Sequence, residues 1–136
     1  MPRVAELGIM CTMAKEEELL LANLFNVIAH DNVFFSGTTK PNGGLSVLVC
    51  NSGIGKVNAA LTAQNMISQG VSEIISIGCA AGADVSVCIG DIVIGDSFCF
   101  HDVWCGEPNN HGQVQGQPAI YSSNYKKWVG GQGIIL

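Results

Sequence analysis

The sequence predicts an α/β fold in which a mostly parallel or mixed central sheet is flanked by helices. Two long apolar stretches carry this prediction, LSVLVCNSGIGKVNAALTAQNMI (Leu45 to Ile67) and IISIGCAAGADVSVCIGDIVIGDSF (Ile74 to Phe98). Each begins with a continuous apolar run, which is typical of a strand buried on both faces, and then breaks into glycine. Strands that alternate with helices along a chain favour a parallel sheet over an antiparallel one.

The chain opens with an expected strand and helix. Val4 to Cys11 is a short apolar run that fits a first buried strand, and Thr12 is the predicted N-cap of the helix that follows. Three acidic residues would lie in the first turns, where the helix dipole favours negative charge: Glu16, Glu17 and Glu18. The helix is expected to end at His30-Asp31-Asn32, with an apolar face made of Leu19, Leu20, Leu21, Leu24, Phe25 and Ile28.

The later elements follow from short apolar runs that are bounded by turn residues. Strands are expected at Val33–Phe35, Leu45–Cys50, Val71–Ile77 and Ile92–Ile94. The segment Lys40-Pro41-Asn42-Gly43-Gly44 is a hairpin-type turn. A helix from about Lys56 to Gln69, closed by Gly70, carries alanines that would let it lie close to the sheet. The polar, glycine-rich composition from Asp102 to Pro118 predicts a long loop.

The composition indicates that part of the fold is buried against something else. Charged residues make up 12% of the 136 residues and apolar residues 48%, whereas about 25% charged is usual. The last four residues, Gly133 to Leu136, look like the opening of another strand. We therefore expect residues 1–136 to form a single partial domain, truncated at its C-terminus.

Charge and hydropathy exclude two classes of partner. The net charge is −5 and Arg3 is the only arginine, so the clustered basic face that binds nucleic acid is not expected. The sequence shows neither a secretory signal nor an apolar run of the roughly 18 residues that span a bilayer. The protein is thus expected to be soluble and cytoplasmic. Its six cysteines follow no pairing pattern, and reduced thiols are expected.

The two glycine turns predict a small-molecule site. A turn without side chains at the carboxyl end of a strand lets backbone N–H groups approach a ligand closely. The segment SGIGKV is not a Walker loop, because Cys50 and Val57 stand where that motif needs glycine and serine or threonine. It also fails the dinucleotide fingerprint, since Asn58 replaces the third glycine.

The acidic run has two readings. In the first, all three residues are ordinary solvated acids at the start of a helix. In the second, Glu16 is a general base that orients a water molecule at the edge of the sheet. A second set of polar residues could be taken for a metal site. Its spacing matches no common zinc arrangement; the residues are Cys99, His101, Cys105 and His111. We therefore expect no metal and no cofactor, and His101-Asp102 is instead a candidate hydrogen-bonded pair.

Several motifs in one order carry a family resemblance. They are Gly8-Ile9 with Met13-x-x-Glu16, Ser52-Gly53-Ile54-Gly55-Lys56-Val57, Gly78 with Ala80 and Gly82, Gly90-Asp91-Ile92-Val93, His101-Asp102, and Gly112-Gln113-x-x-Gly116-x-Pro118. With these residues the chain resembles the N-terminal half to two-thirds of the methylthioadenosine/S-adenosylhomocysteine nucleosidases of the purine nucleoside phosphorylase superfamily. Members of that family hydrolyse the N-glycosidic bond of 5′-thio-substituted adenosines, releasing adenine and a thioribose.

The resemblance implies a role for each matching residue. Glu16 would hold and activate the attacking water, while Met13 and Ile54 would flank the ribose and its thioether side. The turn with Gly78, Cys79, Ala80 and Gly82 would line the ribose and water site. The implied ligand is an adenosine-type nucleoside, and a homodimer is the implied assembly.

This chain also departs from the family. Cys79 stands where serine is usual, so one hydrogen bond to water or ribose is weakened. The loop that usually brings apolar residues to the 5′-substituent of a neighbouring subunit is unusually polar here, from Trp104 to His111. The aspartate that protonates adenine and a ribose-binding Met-Glu pair belong to the C-terminal portion of the family. Residues 1–136 alone are therefore predicted to be inactive.

Two alternatives stay open. A nucleoside phosphorylase of the same superfamily would need a cationic cradle for phosphate, for which Arg3 is the sole arginine. A truncated, non-catalytic paralogue that binds a nucleoside would fit both Cys79 and the missing acid.

Overall fold

A computed structural model describes residues 5–31, 33–95, 97–118 and 121–122. The chain divides into two compact units, residues 1–81 and 82–136, each with a sheet of its own. The expectation of a single partial domain stays a prediction. Arg3 and the apolar C-terminus from Gly133 to Leu136 lie outside the described residues.

The first unit holds five strands and two helices. The strands are β1 (Leu7–Cys11), β2 (Phe25–His30), β3 (Phe34–Lys40), β4 (Gly43–Asn51) and β5 (Glu73–Ser76). The helices are α1 (Ala14–Ala22) and α2 (Lys56–Ser68). The sheet has the order β2-β3-β4-β1-β5, in which β1 runs parallel to both β4 and β5 while β2, β3 and β4 are antiparallel neighbours. The predicted α/β class with a mixed sheet is confirmed.

Strand β4 forms the centre of the hydrophobic core. Its residues Val47, Leu48, Val49 and Cys50 are all fully buried, and because side chains alternate along a strand, this run fills both faces of the sheet. On one face Leu48 and Cys50 join a core cluster with Met66 of α2. The prediction of a strand buried on both faces is confirmed here.

Helix α2 lies close to β1 because Gly8 has no side chain. A Cβ atom added at Gly8 would lie 2.9 Å from the sulfur of Met66 and 3.1 Å from Cγ1 of Val71. The helix ends as expected, since Gly70 adopts a φ of +91° and donates its N–H to the carbonyl of Ile67 at 2.9 Å. Such a left-handed conformation is one that glycine adopts at little cost.

The first helix is shorter than predicted. The expected continuation to His30 is wrong, because Phe25–His30 is the strand β2, which pairs antiparallel with β3. The helix stops at Asn23, whose side-chain amide donates to the carbonyl of Leu19 at 2.8 Å. Aromatic and β-branched residues after this point favour a strand once a partner is available. Asn32, at the predicted helix end, lies outside the described residues.

The second glycine-rich stretch differs from its prediction in two ways. Strand β5 was expected to be buried on both faces, but it lies at the edge of the five-stranded sheet and Ile75 is 41% exposed. The expected strand Ile92–Ile94 is not formed, and Ile92 is 90% exposed. Cys79 and Cys88 are exposed, whereas Cys11 and Cys50 are buried as small apolar residues would be. Without strand neighbours on both sides, these apolar runs stay open to solvent.

The second unit is held mainly by turns. Its strands β6 (Ser97–Phe98) and β7 (Tyr121–Ser122) form a two-stranded antiparallel ribbon. From 102 to 118 the chain has no helix or strand, so the predicted long loop is confirmed. Within this loop Gly112 donates its N–H to the carbonyl of Val103 at 2.7 Å.

None of the helices within the described ranges has the length and apolar character needed to span a bilayer. The longer of the two, α2, has 13 residues.

Replacing Met66 with alanine tests whether α2 is anchored through this residue. Met66 is fully buried in the core cluster, so Met66→Ala should lower the free energy of unfolding by about 2–5 kcal/mol through lost contacts and a cavity. Ile67→Ala is the matched control, because Ile67 is 55% exposed on the same helix and its loss should cost about 1 kcal/mol or less. Equal losses in urea unfolding would contradict the packing described.

Candidate active site

Three loops meet at one edge of the sheet because β4, β1 and β5 run parallel. The register aligns Cys11 with Asn51 and Met10 with Ser76, so the three strands end side by side. Two hydrogen bonds tie the following loops to β1. Ser52 donates its N–H to the carbonyl of Cys11 at 2.8 Å, and Ile77 donates to the carbonyl of Met10 at 2.9 Å. This edge is where ligands bind in open parallel sheets.

The Glu16 carboxylate joins two of these loops. Its Oε2 accepts the backbone N–H groups of Thr12 and Met13, each at 3.1 Å, and lies 3.4 Å from the hydroxyl of Thr12. Its Oε1 accepts the N–H of Cys79 at 3.2 Å. Glu16 is the third residue of α1, so its side chain folds back over the helix start. The carboxylate is thereby placed in the second glycine turn.

These donors determine the protonation state of Glu16. Partial burial alone would raise the pKa of this carboxyl, but the backbone hydrogen bonds from Thr12, Cys79 and Met13, together with the Thr12 hydroxyl, outweigh it. The pKa of Glu16 therefore lies below its ordinary value of 4.5. Hydrogen bonds to a carboxylate stabilise its charged form. Glu16 is an anion at neutral pH.

Gly78 leaves room for the carboxylate. A Cβ atom at position 78 would lie 3.3 Å from Oε1 of Glu16. This is closer than most side-chain contacts, so any residue other than glycine would press on the oxygen that binds Cys79. The turn without side chains that the sequence predicts thus makes room for the carboxylate of Glu16.

The first glycine turn is braced by polar side chains. Gly53 and Gly55 have φ values of +72° and +108°, which residues with a side chain rarely adopt. The side-chain oxygen of Asn51 accepts the N–H of Gly53 at 2.9 Å. The side-chain amide of Asn58 donates to the carbonyl of Ile54 at 2.8 Å. The turn therefore presents Ile54 between two glycines, with its side chain 80% exposed.

The structure brings some of the predicted site residues together and leaves others apart. Met13 and Cys79 contact Glu16 through their N–H groups, and Gly78 lies against it. Ala80 is exposed. Gly82 belongs to the second unit, where an added Cβ would lie 3.0 Å from Val87. The roles of all these residues in binding stay predictions.

Thr12 has a different role from the one predicted. It was expected to be the N-cap, but Met13 precedes the first helical residue, and Glu16 supplies the carboxylate that accepts the free N–H groups. Sequence reasoning also missed Asn51 and Asn58. Their signal was available, because an amide residue stands on each side of the Gly53–Gly55 turn and such side chains commonly bond to nearby backbone.

Two buried thiols beside the site are unreactive. Burial, followed by the negative charges of Glu17 and Glu16, raises the pKa of Cys11 to about 11. Burial and the charge of Glu17 raise the pKa of Cys50 to about 11 as well. Both thiols stay protonated at neutral pH, and a protonated thiol is a poor nucleophile.

The polar cluster of the second unit forms no metal centre in the part of the chain that the structure describes. No group of three His, Cys, Asp or Glu side chains there is placed to hold a metal ion. His101 Nδ1 and Asp102 Oδ1 lie 4.0 Å apart. That separation is longer than a hydrogen bond, so the predicted hydrogen-bonded pair is not formed between these two atoms.

A family model and several known proteins match the chain. The model described as "Phosphorylase superfamily" matches residues 6–127. A curated relative, the 5′-methylthioadenosine/S-adenosylhomocysteine nucleosidase of Marinomonas sp., is 42% identical over 83 residues. That match covers 60% of this chain and 36% of the relative. Other curated nucleosidases of the same name are matched over about half of their length.

Solved structures give the same result for the fold. The S-adenosylhomocysteine nucleosidase of Streptococcus pyogenes, in complex with 5-methylthiotubericidin, superposes with a TM-score of 0.76 at 30% identity, covering 90% of this chain and 52% of that one. The methylthioadenosine/S-adenosylhomocysteine nucleosidase of Colwellia psychrerythraea, in complex with adenine, gives 0.75 at 31% identity, covering 88% and 50%. The predicted resemblance to the N-terminal portion of these nucleosidases is confirmed.

Neutralising Glu16 should remove a stabilising contribution whose size depends on pH in a defined direction. Because the pKa of Glu16 is lowered on folding, its charge stabilises the fold above the ordinary pKa, and this contribution is lost as pH falls through the folded pKa. Glu16→Gln should therefore be less stable than wild type at pH 7, and the difference should shrink below pH 4.5. Urea unfolding at a series of pH values measures this.

The control for that experiment is Glu18→Gln. Glu18 makes an exposed ion pair with Lys15 at 2.9 Å, and such pairs contribute about 0–1 kcal/mol. The Glu18 variant should lose less stability at pH 7. A pH-independent deficit in Glu16→Gln would show that its carboxylate is not held as described.

Adding one methyl group at position 78 should disturb the carboxylate. In Gly78→Ala the new Cβ presses on Oε1 of Glu16, so the hydrogen bond from Cys79 should weaken and the pKa of Glu16 should rise. Carbon-detected NMR titration of Glu16, with the amide shift of Cys79 as a second probe, measures both effects. Ala80→Ser, two residues away, should leave both unchanged, and an unaltered titration in Gly78→Ala would refute the close approach.

Proposed function

Because the chain belongs to the phosphorylase superfamily, we propose that it supplies the Glu16-bearing part of an N-glycosidic nucleosidase. The reaction is hydrolysis of 5′-methylthioadenosine or S-adenosylhomocysteine-type nucleosides to adenine and a thioribose. The chain spans about half the length of most curated relatives that it matches. The activity is accordingly proposed for the whole catalytic unit to which these residues contribute.

The observation that carries this proposal is the captured carboxylate at the edge of the sheet. A carboxylate has about four acceptor positions. On Glu16, three backbone N–H groups fill three of these positions. Oε1 accepts the N–H of Cys79, and its second lone pair is the proposed acceptor for a water molecule. That water is the proposed nucleophile.

The chemistry follows from the fixed negative charge. The water oxygen bonds to the anomeric carbon as the bond to adenine breaks, and adenine leaves with the bonding electron pair. Adenine takes its proton from the acid that the family resemblance places in the C-terminal portion, and the proton that the water loses passes to Glu16 and then to solvent, so that the reaction consumes one water molecule overall. The sugar passes through an oxocarbenium-like state, which a nearby anion stabilises because positive charge develops there. The low pKa of Glu16 favours this electrostatic role and the orientation of water over early proton abstraction.

The remaining predicted residues have proposed positions around the nucleoside. Met13 and Ile54 flank the ribose and its 5′ side, and both residues are open to such contacts, with 43% and 80% of their surface exposed. Gly78, Cys79 and Ala80 line the ribose and water site. The relatives found in complex with adenine and with 5-methylthiotubericidin support a ligand of this class.

We also propose that the assembly is a homodimer in the cytoplasm, acting in purine and methionine salvage. The surface of helix α2 supports the proposal of a dimer, because Val57 and Leu61 are 73% and 61% exposed on it. Its only charged residue is Lys56, at the first position. Two copies can therefore pack there without strong like-charge repulsion, and apolar surface is best covered by apolar surface.

A non-catalytic, nucleoside-binding paralogue is the second candidate, and Cys79 is the observation that favours it. Its thiol replaces the usual serine hydroxyl, and a thiol is a weak hydrogen-bond donor. The backbone N–H of Cys79 still holds Glu16 at 3.2 Å, which supports the hydrolytic candidate over this one.

Adenine release from methylthioadenosine tests the proposal. Residues 1–136 alone should release none, because in this family the group that protonates adenine belongs to the C-terminal portion, and such a group contributes about 10²–10⁴ in rate. A chimaera that adds the C-terminal half of a curated relative should be active, and Glu16→Gln should reduce its rate by at least about 10²-fold.

Three results distinguish the candidates. Glu18→Gln in the chimaera is the matched control and should retain full activity. Formation of thioribose 1-phosphate in phosphate buffer would indicate a phosphorylase instead. Nucleoside binding by calorimetry without turnover in the chimaera would indicate the non-catalytic paralogue.

A further inference from the structure

The side-chain amide of Asn58 holds the backbone of Ile54, an exposed residue of the proposed site. Asn58 lies in the first turn of α2, and its Nδ2 donates to the carbonyl of Ile54 at 2.8 Å, four residues back. The side chain of Ile54 is 80% exposed, so packing does not hold it in place. Its flanking glycines have φ values of +72° and +108° and allow a wide range of backbone conformations.

The residues of the turn before Ile54 are tied to the sheet. Ser52 donates its N–H to the carbonyl of Cys11 at 2.8 Å, and its hydroxyl lies 2.8 Å from the carbonyl of Gly53 and 3.2 Å from that of Cys11. Gly53 donates its N–H to the side chain of Asn51 at 2.9 Å. These bonds fix the turn up to Gly53. Beyond that point, Asn58 restrains the carbonyl of Ile54, and the next tie is to the helix, where the N–H of Ala59 donates to the carbonyl of Gly55 at 3.0 Å.

We propose that Asn58 is a positioning residue that holds Ile54 in place to contact the apolar 5′ side of a nucleoside. This inference rests on the proposed function and names a residue that determines which 5′-substituents bind well. A loop fixed before the ligand arrives loses less conformational entropy on binding. Asn58 therefore contributes to affinity without touching the ligand, and only for ligands that reach Ile54.

The substitution Asn58→Asp separates this role from helix stability. Aspartate keeps the shape of asparagine but lacks the N–H donor, and its charge repels the carbonyl of Ile54. At the same time, a negative charge in the first turn of a helix is favourable. If Asn58 served only to stabilise α2, Asn58→Asp would be neutral or stabilising. If it positions Ile54, the variant loses the restraint while the helix stays intact.

Two measurements on residues 1–136 test the proposal. Calorimetry with 5-methylthiotubericidin and with adenine should show that Asn58→Asp and Asn58→Ala weaken the first ligand about three- to tenfold, the effect of one lost hydrogen bond, and leave adenine unchanged. NMR relaxation of the Ile54 methyl groups should show greater motion in both variants without ligand. Asn65→Ala, an exposed position on the same helix, is the control and should change neither.

The outcomes separate this inference from the proposed function. Equal weakening of both ligands, or unchanged Ile54 motion in Asn58→Asp, would overturn the positioning role. If residues 1–136 bind neither ligand, the comparison is repeated in the chimaera, where absence of binding would contradict the proposed function, while the Ile54 relaxation data decide the positioning role separately. Greater methyl motion in Asn58→Asp at unchanged helix stability would still support the positioning role.

Discussion

The capture of one carboxylate by backbone N–H groups connects the parts of the candidate site. Glu16 reaches back over its own helix to Thr12 and Met13, and across to Cys79, which is 63 residues away in the chain. Each donor stands at an element end, where N–H groups lack a partner within a helix or sheet. Without Glu16 these donors would depend on solvent, and the hydrogen bond that joins α1 to the turn after β5 would be lost.

This capture is possible because β1 lies between two parallel neighbours. Parallel pairing brings the carboxyl ends of β4, β1 and β5 to one edge, so that the start of α1, the turn at Gly53 and the turn at Gly78 are neighbours. The antiparallel strands β2 and β3 lie on the far side of β4 and contribute to the sheet without entering the site. A fold with the same elements in antiparallel order would spread these loops over two edges.

Local features of the site could be predicted from the sequence, whereas long-range features could not. Continuous apolar residues predicted β4, and glycine after each strand predicted the two turns. The strand β2 was missed because Phe25–His30 continues a helical apolar pattern, and its preference for a strand depends on pairing with β3. The exposure of Ile75 and Ile92 depends on which strands are neighbours. The hydrogen bond from Cys79 to Glu16 could not be predicted, because its donor is a backbone N–H, which every residue type except proline carries.

The electrostatics of Glu16 limit what this part of the protein can contribute to a reaction. Since its pKa lies below 4.5, Glu16 keeps its charge across the neutral range and can orient water and stabilise a cationic sugar without titrating. In the proposed reaction, a change of rate with pH near neutrality is therefore expected to come from another group. The step that such a group would govern is protonation of the departing adenine, because Glu16 carries no proton in its charged state. Under the proposed function, the work would thus be divided between the charged carboxylate of Glu16 and an acid that the family resemblance places in the C-terminal portion.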